Sequence, residues 1–174
     1  MPAMEHFDVE PVAGYPQEYG LMLAILEDGT REWMGEIGEP SEDAIVWQPV
    51  TGGYSIGAIL LHIAYVEVAW FESGILGRKI SDKDAALYMV DETDVDNGVW
   101  PVPPRKPWAW YKQLLHDARA RTFKSVLDFP DPASSFQGRT STMTCRWTVG
   151  HVIQHDSYHG GQAVLLAMLH EHLK

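Results

Sequence analysis

Cysteine is almost absent from this sequence: Cys145 stands alone among 174 residues, so no internal disulfide can form, as expected of a chain in a reducing cytoplasm. Basic residues are also scarce. Thirteen Lys and Arg face 24 Asp and Glu, for a formal net charge of −11, and the cations are scattered along the chain. Phosphate recognition needs concentrated Lys and Arg, so neither nucleic acid nor an anionic membrane surface is an expected partner. No apolar run reaches the roughly 20 residues that span a bilayer. The segment Met1 to Tyr19 is acidic and proline-containing and lacks the basic region and apolar run of a signal peptide. The expectation is a soluble, cytoplasmic protein. Absent too are the Gly-x-x-x-x-Gly-Lys phosphate loop, the dinucleotide-binding glycine fingerprint and the Gly-x-Ser-x-Gly elbow, which excludes the chemistries those motifs serve.

What remains is a composition that packs. A hydrophobic fraction of 45% with seven Trp predicts one globular domain over residues 1–174. Helical periodicity appears four times. The first helix is expected from about Gln17 to Ile37, ending near Gly38-Glu39-Pro40, and the second from about Ser55 to Leu76, apolar over most of its surface and closed by Gly77. The third starts at Pro107, a good first-turn residue, and runs to about Leu127; the fourth covers about Thr148 to His172. Few runs between them alternate as strands should. The predicted fold is all-α, a four-helix bundle with long crossover connections over Glu39–Tyr54, Arg78–Lys106 and Asp128–Trp147. Connections of this length often carry function, and one or two are expected to roof a pocket.

The second and fourth helices echo one another. Ser55-Ile-Gly-Ala-Ile-Leu-Leu-His62 lines up with Thr148-Val-Gly-His-Val-Ile-Gln-His155. Each opens with a hydroxyl residue suited to an N-cap and reaches a histidine two turns later, on nearly the same face. The alignment is short enough to arise by chance. If it is real, both helices enter the bundle alike and aim one histidine each at a shared interior point.

His155 and His159 stand at i and i+4, the spacing at which two imidazoles on one helix face can chelate one ion. The same spacing suits a plain polar stripe near a helix end. His62 lies in the apolar run Ala58-Ile-Leu-Leu-His-Ile-Ala-Tyr-Val, so it is expected to be buried and to need partners for its ring nitrogens. A lone buried histidine is usually a hydrogen-bonded core residue; beside a chelating pair it becomes a third ligand. Three neutral imidazoles leave coordination positions open, the catalytic rather than the structural pattern. His151–His155 is equally spaced, and a helix rises about 12 Å across eight residues, so His151 and His159 cannot share one ion. Spacing does not choose between the pairs.

Gln162, three residues after His159, is placed to orient a ligand. His6, His116, His170 and His172 read as surface residues. His155-Asp-Ser-Tyr-His lacks the Glu that follows the first histidine of zinc proteases, so no general base comes with it. Cys145 reads as an ordinary residue ahead of the fourth helix rather than a nucleophile. Trp100, Trp108, Trp110 and Tyr111 read mainly as packing, with lining of a pocket mouth as the second possibility. Glu67 and Glu72 are expected in solvent, with a role as fourth ligand or base if they are buried.

The string His155-Asp-Ser-Tyr-His159-Gly-Gly-Gln162, with Ser55-Ile-Gly and His62 upstream, resembles the DinB/YfiT-like superfamily. The resemblance covers most of the chain through four helices, and its specific motifs occupy the second and fourth. It implies a four-helix bundle with a three-histidine site for one divalent transition-metal ion, nickel or zinc foremost, held by His62, His155 and His159 rather than His151. It also implies a homodimer. Many members carry an arginine before the Gly-Gln pair, where this chain has Gly160. Characterised relatives include thiol transferases and isomerases that use low-molecular-weight thiols such as mycothiol or bacillithiol. The expected function is therefore that of a metal-dependent enzyme, of the thiol-dependent transferase or hydrolase class, activating a thiol or water for attack on a small molecule. The alternatives are a non-catalytic metal- or ligand-binding stress-response protein and an interaction bundle with structural histidines. No catalytic or thiol-binding residue is assigned.

Overall fold

Four long helices dominate the computed structural model, which describes residues 8–138 and 140–173; His6 lies outside them. They are α1 (Gln17–Ile37), α3 (Ile56–Val68, continued by a π-helical segment Ala69–Ile75), α5 (Trp108–Val126) and α6 (Cys145–His172). The connections add short elements: α2 (Glu42–Val46), α4 (Asp82–Leu87), a 3-10 turn Val90–Glu92, and a hairpin of β1 (Ser135–Gln137) and β2 (Thr142–Thr144) paired antiparallel. The hairpin, three residues to a strand, is the one piece of sheet among the described residues, in line with the expectation that the connections hold little strand. The fold is all-α in its architecture.

Local chemistry sets the helix starts. The Ser55 hydroxyl accepts from the Ala58 amide at 3.3 Å, as an N-cap should. The matching role expected of Thr148 is not observed. α6 starts earlier, with the Thr144 hydroxyl accepting from the Trp147 amide at 3.2 Å, and Thr148 sits one turn inside. The hairpin decides this, because β2 ends at Thr144 and hands the backbone directly to the helix. The echo between the two histidine helices is thus one of sequence, not of capping. Gly77, at φ 65°, ends the second long helix in the left-handed region that suits glycine.

The hydrophobic interior falls into two clusters with a polar layer between them. One gathers Trp33 and Ile37 of α1, most of α3, Trp108 to Ala118 of α5, and Ala163 and Leu166 of α6. The other holds Tyr19, Leu23 and Leu26 of α1, Phe71, Val126 and Cys145 to Val152. The order of these residues fixes helix direction: α1 and α6 run from the second cluster to the first, α3 and α5 from the first to the second. α6 packs along both α1 and α3, and α3 along α5. Since α3 and α5 run the same way, their connection must return the full length of the bundle, which accounts for the long segment containing α4. Trp108 and Tyr111 are core residues, as expected.

The stretch Ile56–Ile75 departs from the expectation that no segment could span a bilayer. It is long and apolar enough by length and composition, yet 72% of it is buried inside the protein. Its apolar surface faces the other helices.

Candidate metal centre

His62 of α3 and His155 and His159 of α6 meet at the seam between these helices. Their nearest ligand atoms all lie within 4.8 Å of one another. His62 Nε2 stands 3.0 Å from His155 Nε2, and the three ring centroids are 4.4–4.9 Å apart. His155 and His159 are buried, only 7% and 3% exposed, while His62, expected to be buried, is half-buried at the rim. Burial above all, aided by the neighbouring imidazoles, lowers the basicity of the site: His62 is pushed down to about 4 and His155 to about 2, and His159 is lowered too. At neutral pH the three rings are uncharged bases.

Gln162 fixes the tautomer of one ring. Its Oε1 lies 2.7 Å from His159 Nδ1; an amide oxygen only accepts, so Nδ1 carries the proton and the Nε2 lone pair is left free. This is the orienting role the i+3 spacing implied. Tyr54, Trp100 and Tyr158 surround the rings. The Trp100 indole meets His62 edge-on with centroids 4.9 Å apart, and the Tyr158 ring lies 4.1 Å from His159. Two connections deliver Tyr54 and Trp100, while Tyr158 belongs to α6 itself. Gln48 donates through Nε2 to the Gly53 and Trp100 carbonyls, and the Trp100 amide donates to the Gly52 carbonyl, tying the two loops together over the site. Trp100 thus packs against the histidines from a connection. Outside, His155 and Tyr158 open onto a shallow cleft of about 610 Å³ along α6.

His151, the rival ligand, is engaged elsewhere. Its ring stacks on Trp147 with centroids 4.9 Å apart and the two planes nearly parallel, and it meets Trp70 edge-on. Among the described residues, the one group of His, Cys, Asp or Glu spaced to hold an ion is His62, His155 and His159. Cys145 is buried at the start of α6, and burial raises its thiol, the reverse of what an activated nucleophile needs.

Three expectations about polar residues fail. Glu67 and Glu72 are buried, 1% and 7% exposed, because each has a guanidinium on α5. Glu72 is held by Arg121, which also reaches Asp84 of α4. Glu67 accepts from Arg119 Nε at 2.8 and 3.0 Å and from the Thr122 hydroxyl. Neither joins the histidines. His170, read as a surface residue, is buried against Trp47, whose ring it meets edge-on at 5.3 Å.

The sequence signal also missed the polar layer itself. Arg119 Nη2 donates to Thr30 Oγ1 at 3.0 Å and to Asp156 Oδ1 at 3.2 Å, while Asp156 Oδ2 accepts from Trp33 Nε1 at 2.9 Å. Thr30, Glu67, Arg119 and Asp156 therefore bring one side chain from each of the four long helices to one place.

The donor set suits a divalent ion. Two nitrogens each about 2.0–2.1 Å from one ion are held roughly 3 Å apart, close to the spacing of His62 and His155. Neutral imidazoles are the protonation state a metal requires.

Residues 22–170 match the family model described as mycothiol-S-transferase, a DinB-like family. No curated protein matches the chain.

Proposed function

Because the chain belongs to the mycothiol-S-transferase family, we propose that it is a divalent-metal-dependent thiol S-transferase with His62, His155 and His159 as the metal ligands. The convergence of three uncharged imidazoles from two helices, His155 and His159 buried and His62 half-buried, carries this reading. A three-histidine set leaves coordination positions open, the arrangement of catalytic centres. Nickel and zinc both suit imidazole ligation. The thiol is a low-molecular-weight one of the mycothiol kind, and its partner is a small electrophile.

Held by these nitrogens, a divalent ion supplies Lewis acidity that lowers the pKa of a thiol offered to it. The rest is done by the chain. Gln162 keeps the His159 proton on Nδ1 and turns Nε2 inward. Trp100, 3% exposed, covers the His62 edge and excludes water from that side. Tyr158 sits at the mouth, half exposed, with its phenol raised by partial burial and by the nearby Tyr54, so Oη keeps its proton and can donate to an incoming group. In the reaction a carbon–sulfur bond forms, the electrophile's leaving group departs with its electron pair, and the thiol proton passes to solvent.

The reading is tested by metal analysis of the purified chain with its three single His→Ala variants, together with thiol consumption by an electrophile before and after chelation. Metal in the parent chain, its loss in the variants and chelator-sensitive conjugation are expected. Metal binding with no thiol turnover would instead favour a non-catalytic metal-binding stress-response protein, and unchanged metal in all three variants would remove the ligand assignment.

A further inference from the structure

We propose that Arg119 is a positioning residue of this centre: by bridging Glu67 on α3 and Asp156 on α6, it fixes the register at which His62 and His155 meet. The inference rests on the metal reading above and adds to it a device outside the histidine cluster.

Arg119 itself belongs to α5, which brings no histidine to the site. Its Nε binds both oxygens of Glu67 at 2.8 and 3.0 Å, and its Nη2 binds Asp156 Oδ1 at 3.2 Å. Glu67 follows His62 by five residues, roughly 7.5 Å along the helix axis, and Asp156 directly follows His155. Both ends of the bridge are thus within two turns of a ligand. α1 completes the clamp: Thr30 Oγ1 accepts from Arg119 at 3.0 Å and lies 3.0 Å from Asp156 Oδ2, which also accepts from the Trp33 indole.

Apolar packing alone would leave this register weakly defined. The α3 surface is apolar nearly all round, with Ile59, Leu60, Leu61, Ile63 and Ala64 all buried, so neighbouring registers would bury similar area. A slip of one residue moves a helix about 1.5 Å along its axis and turns it about 100°. No hydrogen bond of 2.8–3.2 Å survives that, and neither does the 3.0 Å approach of the two Nε2 atoms. Charge bookkeeping points the same way. One guanidinium serves two carboxylates here, and taking such groups out of water is costly enough that well-packed apolar residues of similar volume are often as stable or more so. The layer specifies more than it stabilises.

The test compares Glu67→Gln, Thr30→Val and Arg119→Met with Val126→Ala, a core change in the far apolar cluster. Cobalt(II) is titrated into each apo protein and followed by its visible d–d absorption, apo stability is measured in urea, and the His62–His155 ring contact is followed by NOE in the apo state. Glu67→Gln and Arg119→Met are expected to weaken cobalt affinity roughly tenfold or more, to shift the d–d bands, and to diminish the NOE, with smaller changes of the same sign in Thr30→Val. Val126→Ala should lower stability while leaving affinity, bands and NOE as they were. If Arg119→Met does not fold, the other two variants carry the comparison. Unchanged affinity, spectrum and NOE in Glu67→Gln and Thr30→Val, whatever their stability, would overturn the positioning role. A parent chain that binds no cobalt would overturn the metal reading instead, and the apo NOE would still report on the clamp.

Discussion

His62 Nε2 and His155 Nε2 face each other across the α3–α6 seam at 3.0 Å, and both rings are uncharged at neutral pH. Without a metal one Nε2–H donates to the other ring; with the proton of each ring on Nδ1, both Nε2 lone pairs are free for a shared cation. A ligand that binds only the folded state stabilises it by RT ln(1 + [L]/Kd), about 2.7 kcal/mol at a hundredfold excess over Kd. For a chain of this size that raises Tm by roughly 5–10 °C. Calorimetry with added zinc or nickel should show this rise and chelator should cancel it. In His62→Ala, His155→Ala and His159→Ala the rise should be absent; its persistence in any of the three would exclude that residue as a ligand.

The apo protein should lose stability on the acid side through the same rings. The folded pKa values of His62 and His155, about 4 and about 2, lie below the unfolded value near 6.5. Between these limits the unfolded chain binds more protons, so unfolding free energy rises with pH. Stability is therefore fully present above about pH 6.5 and lost progressively as pH falls towards 4. Urea denaturation of the apo protein at pH 7.5, 6, 5 and 4 should give a slope that is clearly flatter in His62→Gln/His155→Gln. Parallel slopes in the two proteins would show that the rings titrate normally.

The site was more legible in the sequence than its surroundings, for a physical reason. A chelating pair at i and i+4 is a local feature, and the apolar run around His62 placed that residue in the interior-facing helix, so the three histidines that converge could be read from spacing, composition and the family motif together; the full burial expected of His62 is not observed, and it stays half-buried. Burial of Glu67 depends on Arg119, 52 residues away, and no periodicity carries that information. The start of α6 was misplaced at Thr148 because the β1–β2 register, a nonlocal pairing, sets where the helix begins. His170 looks exposed from its place in the last turn, and only the loop carrying Trp47 covers it.

Gly160 occupies the position where many relatives carry arginine, and the structure explains its size. A Cβ there would overlap the Trp33 indole, which packs directly on the α6 backbone. Trp33 also donates to Asp156, so moving it disturbs the polar layer. Gly160→Ala is expected to cost about 1–3 kcal/mol, the range for overpacking a filled core. The adjacent Gly161 is exposed with nothing within 4 Å of a Cβ, and Gly161→Ala should stabilise by roughly 0.5–1 kcal/mol through helix propensity. Urea unfolding of the two variants checks the contrast; equal effects would mean that α1 does not press on α6 at this point.

Gln162 offers the sharpest test of the centre that leaves every proposed ligand in place. Its oxygen, 2.7 Å from His159 Nδ1, holds the proton there and orients the ring, while the residue lies at the edge of the site, only partly buried. Removing such a partner commonly weakens metal affinity 10–100-fold, and about tenfold is expected for Gln162→Leu. Gln162→Glu keeps an acceptor and adds negative charge, so Nδ1 still donates and the ring becomes a stronger base. Affinity should then match or exceed that of the parent chain. Competitive titration with a chromophoric chelator reads both variants directly, with urea unfolding as the control for fold. If Leu and Glu at this position gave the same affinity, the His159 tautomer would be set by something other than Gln162, and His159 itself would need another partner to turn Nε2 inward.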